Sequence, residues 1–443
     1  MRRRSRRSRS ALVQTVQLLD GGSWRTSSSS KTTDVFNPST AQVIAKVPRC
    51  SVDETASVVE SAARAWPAWN QTPAVERARV MFKFRQLIEE QFEELAALVT
   101  REHGKTLPEA RAEVQRGLEM VEYACGVPSL LMGDTLPNIA ARVDAETMRH
   151  PVGVCVGIMP YNFPFMVPLW MFPVAIVCGN TFVLKPSEKV PLSSIRLGEL
   201  LLEAGLPAGV FNIVHGDRTC VDVLLEHPSV AAISFVGSTV VAKHIYETGS
   251  KNGKRVQVAG GAKNHLIIMP DADLDQSVKA LAASAYGCAG QRCMAGSVAV
   301  AVGNIAEPLV SELCDHAGSL RVGPSDGNEN VDVGPLIRRE HLDRVSGYLD
   351  IAKEEGAEVA LDGRFDPDTE GFLLGPCVVD RVEPGMRLAR EEIFGPVLSV
   401  VRADDLESAL AIGRDCSYGN GASIFTRDGY MGRESSNSTS TLA

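Results

Sequence analysis

Residues 151–184 read PVGVCVGIMPYNFPFMVPLWMFPVAIVCGNTFVL, a run of 34 residues without an acid, a lysine or an arginine. Its length would span a bilayer. Its punctuation argues otherwise. Pro160, Pro164, Pro168 and Pro173 interrupt it, Asn162 lies inside it, and Gly153, Gly157 and Gly179 break it further. It is read as strand, turn, helix, turn, strand within a buried core. Beyond it, β-rich runs at 181–184, 209–214 and 230–236 alternate with helical patterns at 190–204 and 217–227. Strands alternating with crossover helices mean a parallel α/β sheet. A second α/β block is expected from about Val256 to Phe425, with helices near Gln276–Ala285 and 339–355.

Upstream, Val35–Val47 alternates apolar and polar residues and suggests a hairpin. Ser51 and Glu54 form a capping box that opens a helix to about Trp69. A long helix is expected from Ala74 to His103, stopped by Gly104, and a third from Pro108 to Cys125. The 131–149 segment is a polar interlude read as a hairpin arm.

The chain has 443 residues, too many for one ordinary domain. Its net charge is −9, of which the first ten residues contribute +6 through Arg2, Arg3, Arg4, Arg6, Arg7 and Arg9; the remainder carries −15. A body this acidic does not suit nucleic acid or anionic membranes. Residues 1–19 have the Arg/Ser-rich, acid-free composition of a transit peptide, so a mitochondrial matrix address is expected, with the cytoplasm as alternative. The ten cysteines form no CxxC pair, and no metal site is expected.

Cys293 stands apart from the other cysteines. It follows Gly290-Gln291-Arg292 and precedes a β-pattern at Ser297–Val302. A cysteine beside a cation and a flexible glycine is expected to have a depressed pKa, hence thiolate character. The GxGxxG dinucleotide fingerprint is absent. Gly237-Ser238, after the strand Ala231–Val236, can open a helix whose N-terminus meets a phosphate.

Five motifs then occur in order: Pro160-Tyr161-Asn162-Phe163-Pro164, Lys185-Pro186-Ser187-Glu188, Phe235-Val236-Gly237-Ser238, Gly290-Gln291-Arg292-Cys293 and Glu392-Ile393-Phe394-Gly395-Pro396. Together they resemble the aldehyde dehydrogenase superfamily from about Val35 to Tyr430. The resemblance implies two Rossmann-like parallel-sheet domains with a β-hairpin oligomerisation arm. Residues 20–130 and 150–256 would bind NAD, 131–149 would form the arm, 257–430 would be catalytic, and 431–443 would be a divergent polar tail. It implies Cys293 as nucleophile and the Asn162 amide as oxyanion donor. Glu392 and Phe394 resemble a nicotinamide-ribose clamp. Lys185 and Glu188 resemble an adenosine-ribose clamp that favours NAD over NADP. Phe163, Ser187, Gly237 and Ser238 would complete the cofactor site. Ala242 departs from the pattern, since many members have a second glycine there.

A further departure is informative. Hydrolytic members place a glutamate where this chain has Ala259, within Gln257-Val258-Ala259-Gly260-Gly261-Ala262-Lys263-Asn264-His265. Without that base, hydrolysis of an acyl-enzyme loses about 10²–10⁴-fold, and a thiol such as coenzyme A must take the acyl group. This combination resembles the CoA-acylating methylmalonate-semialdehyde dehydrogenase branch, as do Leu169-Trp170-Met171-Phe172-Pro173, Cys178-Gly179-Asn180-Thr181-Phe182 and Arg116-Gly117-Leu118. The branch implies oxidation of (methyl)malonate semialdehyde to propionyl-CoA or acetyl-CoA in valine and pyrimidine catabolism, by a homo-oligomer. It also implies Arg116 and Arg292 as the grip on the substrate carboxylate. The rival readings are a dehydrogenase of another aldehyde and a non-catalytic NAD-binding subunit. After Tyr430 the motifs end, and part of the catalytic core is expected to be uncovered.

Overall fold

The computed structural model describes residues 13–439. The 151–184 run folds as the strand Val154–Ile158, the helix Met166–Val177 and the strand Thr181–Lys185. The two strands are parallel neighbours, Val154 opposite Thr181 and Ile158 opposite Lys185. Among the described residues, no helix is long and apolar enough to cross a membrane. The seven-stranded first sheet runs, in spatial order, Arg255–Ala259, Val230–Val236, Val154–Ile158, Thr181–Lys185, Phe211–Ile213, Leu18–Asp20 and Ser23–Arg25. The first five strands are parallel and the last two antiparallel to their neighbours.

Both faces of this sheet are covered, which is why its central strands are apolar throughout rather than alternating. Side chains still alternate between the faces. Cys155, Phe182 and Leu184 join Phe84, Val114 and Phe172 on one side. Val154, Val156, Ile158 and Val183 join Val58, Leu224 and Ile245 on the other.

The second sheet has six strands in the order Glu358–Leu361, Cys377–Asp380, Val397–Ala403, Gly296–Val302, Asn264–Ile268 and Ala422–Phe425. Only Glu358–Leu361 is antiparallel. It has its own continuous core, from Leu266 to Leu410. Two hairpins stand apart from the sheets, Thr32–Asn37 with Gln42–Pro48 and Thr135–Ala140 with Val143–Glu146. The second hairpin is exposed, including its apolar Leu136, Ile139 and Val143.

Four expectations are corrected. The helix expected from Ala74 to His103 is two helices, Ala74–Glu90 and Phe92–His103. Gln91 leaves helical geometry at φ −113°, ψ 19°, and the chain turns without a glycine or proline to announce it. The boundary expected at 256/257 cuts the strand Arg255–Ala259, which pairs with Val230–Val236 and belongs to the first sheet. The 1–19 segment is not wholly separate from the fold, because Val16, Leu18 and Leu19 are buried and Leu18–Asp20 is a strand of the first sheet; the six arginines lie outside the described residues. The tail expected from 431 overlaps a helix, Gly429–Thr439.

Candidate active site

The loop that carries Cys293 is held in an unusual shape. After the helix Leu274–Tyr286, Cys288 and Ala289 both lie in the left-handed region at φ +52°, followed by Gly290 at φ +69°. Left-handed geometry costs an L-residue about 1–2 kcal/mol, so the loop needs external fixing. The Cys288 N–H donates to Glu109 Oε1 at 2.6 Å. Gln291 is wholly buried; its Oε1 accepts from Ile337 N at 3.1 Å, and its Nε2 donates to the Cys288 and Pro335 carbonyls. The Cys293 carbonyl accepts from Asn264 Nδ2 at 2.7 Å and Asn420 Nδ2 at 2.9 Å. Gly290 packs so closely that a Cβ there would overlap the Gly395 carbonyl.

Cys293 opens onto a cavity of about 840 Å³. Asn162, Phe163, Lys185, Ser187, Glu188, Gly237, Ser238, Glu392 and Phe394 also line it. Asn162 is buried, and its Nδ2 donates to the Gln291 carbonyl at 3.1 Å, two residues from Cys293. Ser187 Oγ accepts from Lys189 N at 3.3 Å. Lys185 Nζ lies 3.5 Å from Glu188 Oε2. Burial would raise the Glu188 pKa, but Lys185 and neighbouring cations outweigh it and hold the carboxylate ionised.

Ser238 is the N-cap of the helix Thr239–Lys251, yet its hydroxyl makes no cap hydrogen bond. The first-turn N–H groups of that helix therefore keep donor capacity beside the cavity. Glu392 Oε1 accepts from Ala262 N at 3.0 Å, while burial pushes its carboxyl pKa up. Phe394 is left-handed at φ +59° and meets Tyr161 and His341 edge-on. Its turn is tied at three carbonyls: Glu391 O by Lys263, Ile393 O by Arg344 and Phe394 O by His341.

The cavity suits a dinucleotide. A helix N-terminus, a paired carboxylate for ribose hydroxyls, and the cations Arg49, Arg218 and Arg338 share one wall system with the thiol.

The two arginines expected to grip a carboxylate are not brought into this cavity. The Arg116 side chain is 72% exposed and pairs with Glu119 at 3.3 Å. Arg292 borders a small hollow beside Cys293, and its Nη2 donates to the Ala283 and Ser284 carbonyls at 2.7 Å each. Its buried Nε–H has no partner among the described residues. The depressed thiol pKa expected from Arg292 is also corrected. Burial raises the Cys293 pKa and Glu392 adds to the rise, whereas Arg292 contributes least of the causes that oppose it.

Lys105, Glu109, Glu113, Asn420, His341 and Arg344 carry no signal in the sequence. Each acts on a main-chain atom remote in sequence, which leaves no local pattern. Gln291 and Asn264 stood inside quoted motifs, but no role was attached to them. His215 is buried and contacts Gln17 O at 3.0 Å.

A half-buried thiol facing a nucleotide-sized cavity, with a side-chain amide beside its loop, fits an enzyme that adds sulfur to a carbonyl next to a dinucleotide. The chain belongs to the aldehyde dehydrogenase family, whose profile matches residues 24–440 and so runs past Tyr430. It is 50% identical over 419 residues to malonate-semialdehyde dehydrogenase 2 of Geobacillus kaustophilus, covering 94% of this chain and 86% of that one. It is 49% identical over 407 residues to malonate-semialdehyde dehydrogenase of Pseudomonas aeruginosa, covering 91% and 82%. The methylmalonate-semialdehyde dehydrogenase of Oceanimonas doudoroffii superposes with a TM-score of 0.93 at 46% identity, covering 96% of this chain and 88% of that one. A Sinorhizobium meliloti 1021 protein described as a methylmalonate-semialdehyde dehydrogenase, solved with NAD, gives a TM-score of 0.94 at 45% identity, covering 96% and 88%.

Proposed function

We propose that this chain oxidises malonate semialdehyde or methylmalonate semialdehyde with NAD and passes the decarboxylated acyl group to coenzyme A. The observation that carries the reading is the meeting of Cys293, Asn162, Glu392 and the Lys185–Glu188 pair in one cavity. The relatives of about 50% identity support the substrate class.

Cys293 Sγ adds to the aldehyde carbon, and the Asn162 amide with the Cys293 main-chain N–H stabilises the developing oxyanion. Bound NAD supplies a hydride acceptor. Loss of hydride leaves a thioester on Cys293. In a β-carboxylated thioester the carbonyl accepts the electron pair released by C–CO₂ cleavage, and the Asn162 amide stabilises the enolate oxygen until carbon is protonated. Ala259 cannot take a proton from water, so transfer to the CoA thiol is favoured over hydrolysis.

Phe163, Ser187, Gly237, Ser238 and Phe394 would help hold NAD. Arg116 and Arg292 are the proposed carboxylate grip; Arg292 borders the hollow beside Cys293, and the role requires Arg292 to leave the Ala283 and Ser284 carbonyls and Arg116 to leave Glu119. The exposed Leu136, Ile139 and Val143 support self-assembly through the 135–146 hairpin. A mitochondrial address rests on the composition of residues 1–19 alone, and the relatives above are bacterial.

Rapid mixing of the chain with NAD and either semialdehyde tests the reading. A single NADH equivalent per site without CoA, then steady turnover to acyl-CoA when CoA is added, is the expected result. Free acid formed at the full rate without CoA overturns the CoA-acylating assignment. Absence of NADH under both conditions overturns the dehydrogenase.

A further inference from the structure

We infer that Lys105, through its buried ion pair with Glu113, is a positioning residue that sets the Asn162 amide against the Cys293 loop. The inference rests on the reading of Cys293 and Asn162 as an acyl-forming pair, not on the identity of the aldehyde.

The Lys105 side chain is fully buried, so each of its three N–H groups needs a partner. One goes to Glu113 Oε2 at 2.5 Å and one to the Asn162 carbonyl at 2.8 Å. The ammonium also sits 4.1 Å from the centre of the Phe163 ring. Glu113 uses its other oxygen on Phe165 N at 2.8 Å and Met166 N at 3.1 Å. The segment from Asn162 to Met166 is thus gripped at both ends by one ion pair. Burial alone would draw the proton off Lys105, but Glu113 and neighbouring groups more than offset it.

Glu113 and Glu109 lie one turn apart on the helix Leu107–Cys125, and Glu109 accepts from Cys288 N. One helix therefore fixes the oxyanion-donor segment and the left-handed start of the nucleophile loop together. The Asn162–Gln291 hydrogen bond closes the arrangement from the other side. For stability alone, an apolar pair of similar volume would serve as well as buried charges. What an apolar pair could not do is hold the Asn162 carbonyl. A shift of about 1 Å at a donor can cost on the order of 100-fold in rate.

The test uses p-nitrophenyl acetate, which acylates a thiol beside an oxyanion site and needs neither NAD nor a semialdehyde. Release of p-nitrophenolate is followed for the parent chain, Lys105→Met, and the charge-balanced double variant Lys105→Met with Glu113→Gln, each with Asn162 intact and with Asn162→Ala. Thermal midpoints are recorded alongside. With Asn162 present, both Lys105 variants should acylate about 10- to 100-fold more slowly, the double variant at an unchanged midpoint. With Asn162→Ala, they should cost nothing further. Equal slowing in both backgrounds overturns the inference, as does a double variant at the parental rate. If Lys105→Met alone unfolds, the double variant decides. A parent chain that is not acylated on Cys293 also overturns it. A parent that is acylated but oxidises no semialdehyde overturns the proposed function and leaves this inference to be judged by the cycle.

Discussion

The side-chain amide of Asn264 donates to the main-chain carbonyl of Cys293 at 2.7 Å and to that of Ala295 at 2.8 Å. Asn264 begins the strand Asn264–Ile268, and Ala295 immediately precedes the strand Gly296–Val302 beside it. Cys293 is thereby tied to the end of a rigid sheet, not left on a free loop. Asn264→Ala removes one buried and one part-buried hydrogen bond, at a cost of about 1–3 kcal/mol for a carbonyl that stays buried without a donor. The expected outcome is a lowered urea midpoint with a slower acylation of Cys293. An unchanged acylation rate in a folded variant would show that Asn420 alone suffices to hold the carbonyl.

Two glycines separate steric crowding from conformational strain. Gly290 is left-handed at φ +69° and abuts the Gly395 main chain, whereas Gly205 is left-handed at φ +86° with open space where a Cβ would go. Gly205→Ala should cost about 1 kcal/mol, the conformational part only. Gly290→Ala should cost about 3 kcal/mol or more and abolish acylation, because backbone must move away from backbone. Chemical denaturation of the two variants measures the difference; equal costs would mean the 395 turn yields freely.

The reactivity of Cys293 should rise with pH through the whole neutral range. Its pKa is raised above the ordinary thiol value by burial, with Glu392 adding to the rise. The thiolate fraction then grows about tenfold per pH unit below that pKa. Alkylation of the chain without NAD by iodoacetamide, followed from pH 6 to 9, should give a slope near one without a plateau. A plateau below pH 8 would mean that a cation lowers the thiol pKa after all.

His215 should make the protein acid-sensitive. It is buried, and burial lowers its pKa from the usual 6.5 to about 4. The unfolded chain takes up a proton below about pH 6.5 that the folded chain refuses until about pH 4. Stability from this group is thus complete above pH 6.5 and is lost as pH falls through that window. Between pH 6 and 4.5 its share of the slope approaches about 1.4 kcal/mol per pH unit. His215→Gln keeps a donor for Gln17 O and cannot titrate. Urea titrations at several pH values should show a shallower acid limb, and an unchanged limb would assign the acid sensitivity to other groups.

The 151–184 run and the alternating strands that follow it were sufficient to read a parallel α/β fold, because burial on both faces forces nearly continuous apolar strands. Ser51 with Glu54, and Gly104 at φ +93°, marked helix ends correctly because caps act over a few residues. Of the residues that line the cavity, Cys293 and Gly237-Ser238 drew a reading from their own neighbours, whereas the others were pointed to only by the resemblance of their motifs to aldehyde dehydrogenases. Sequence did not show the break at Gln91, where packing and not residue type bends the chain. It misjudged the Cys293 thiol, because the adjacent Arg292 is near in sequence but directs its guanidinium to the Ala283 and Ser284 carbonyls. Charge effects depend on distance and burial, and neither is written locally. The Lys105–Asn162 and Glu109–Cys288 contacts span 57 and 179 residues. Chain order determined which chemical groups this protein owns; only tertiary packing, which sets the helix Leu107–Cys125 against the helix Met166–Val177 and beside the Cys288 turn, decided that a carboxylate and an ammonium would hold the Cys293 loop and the Asn162 segment in place.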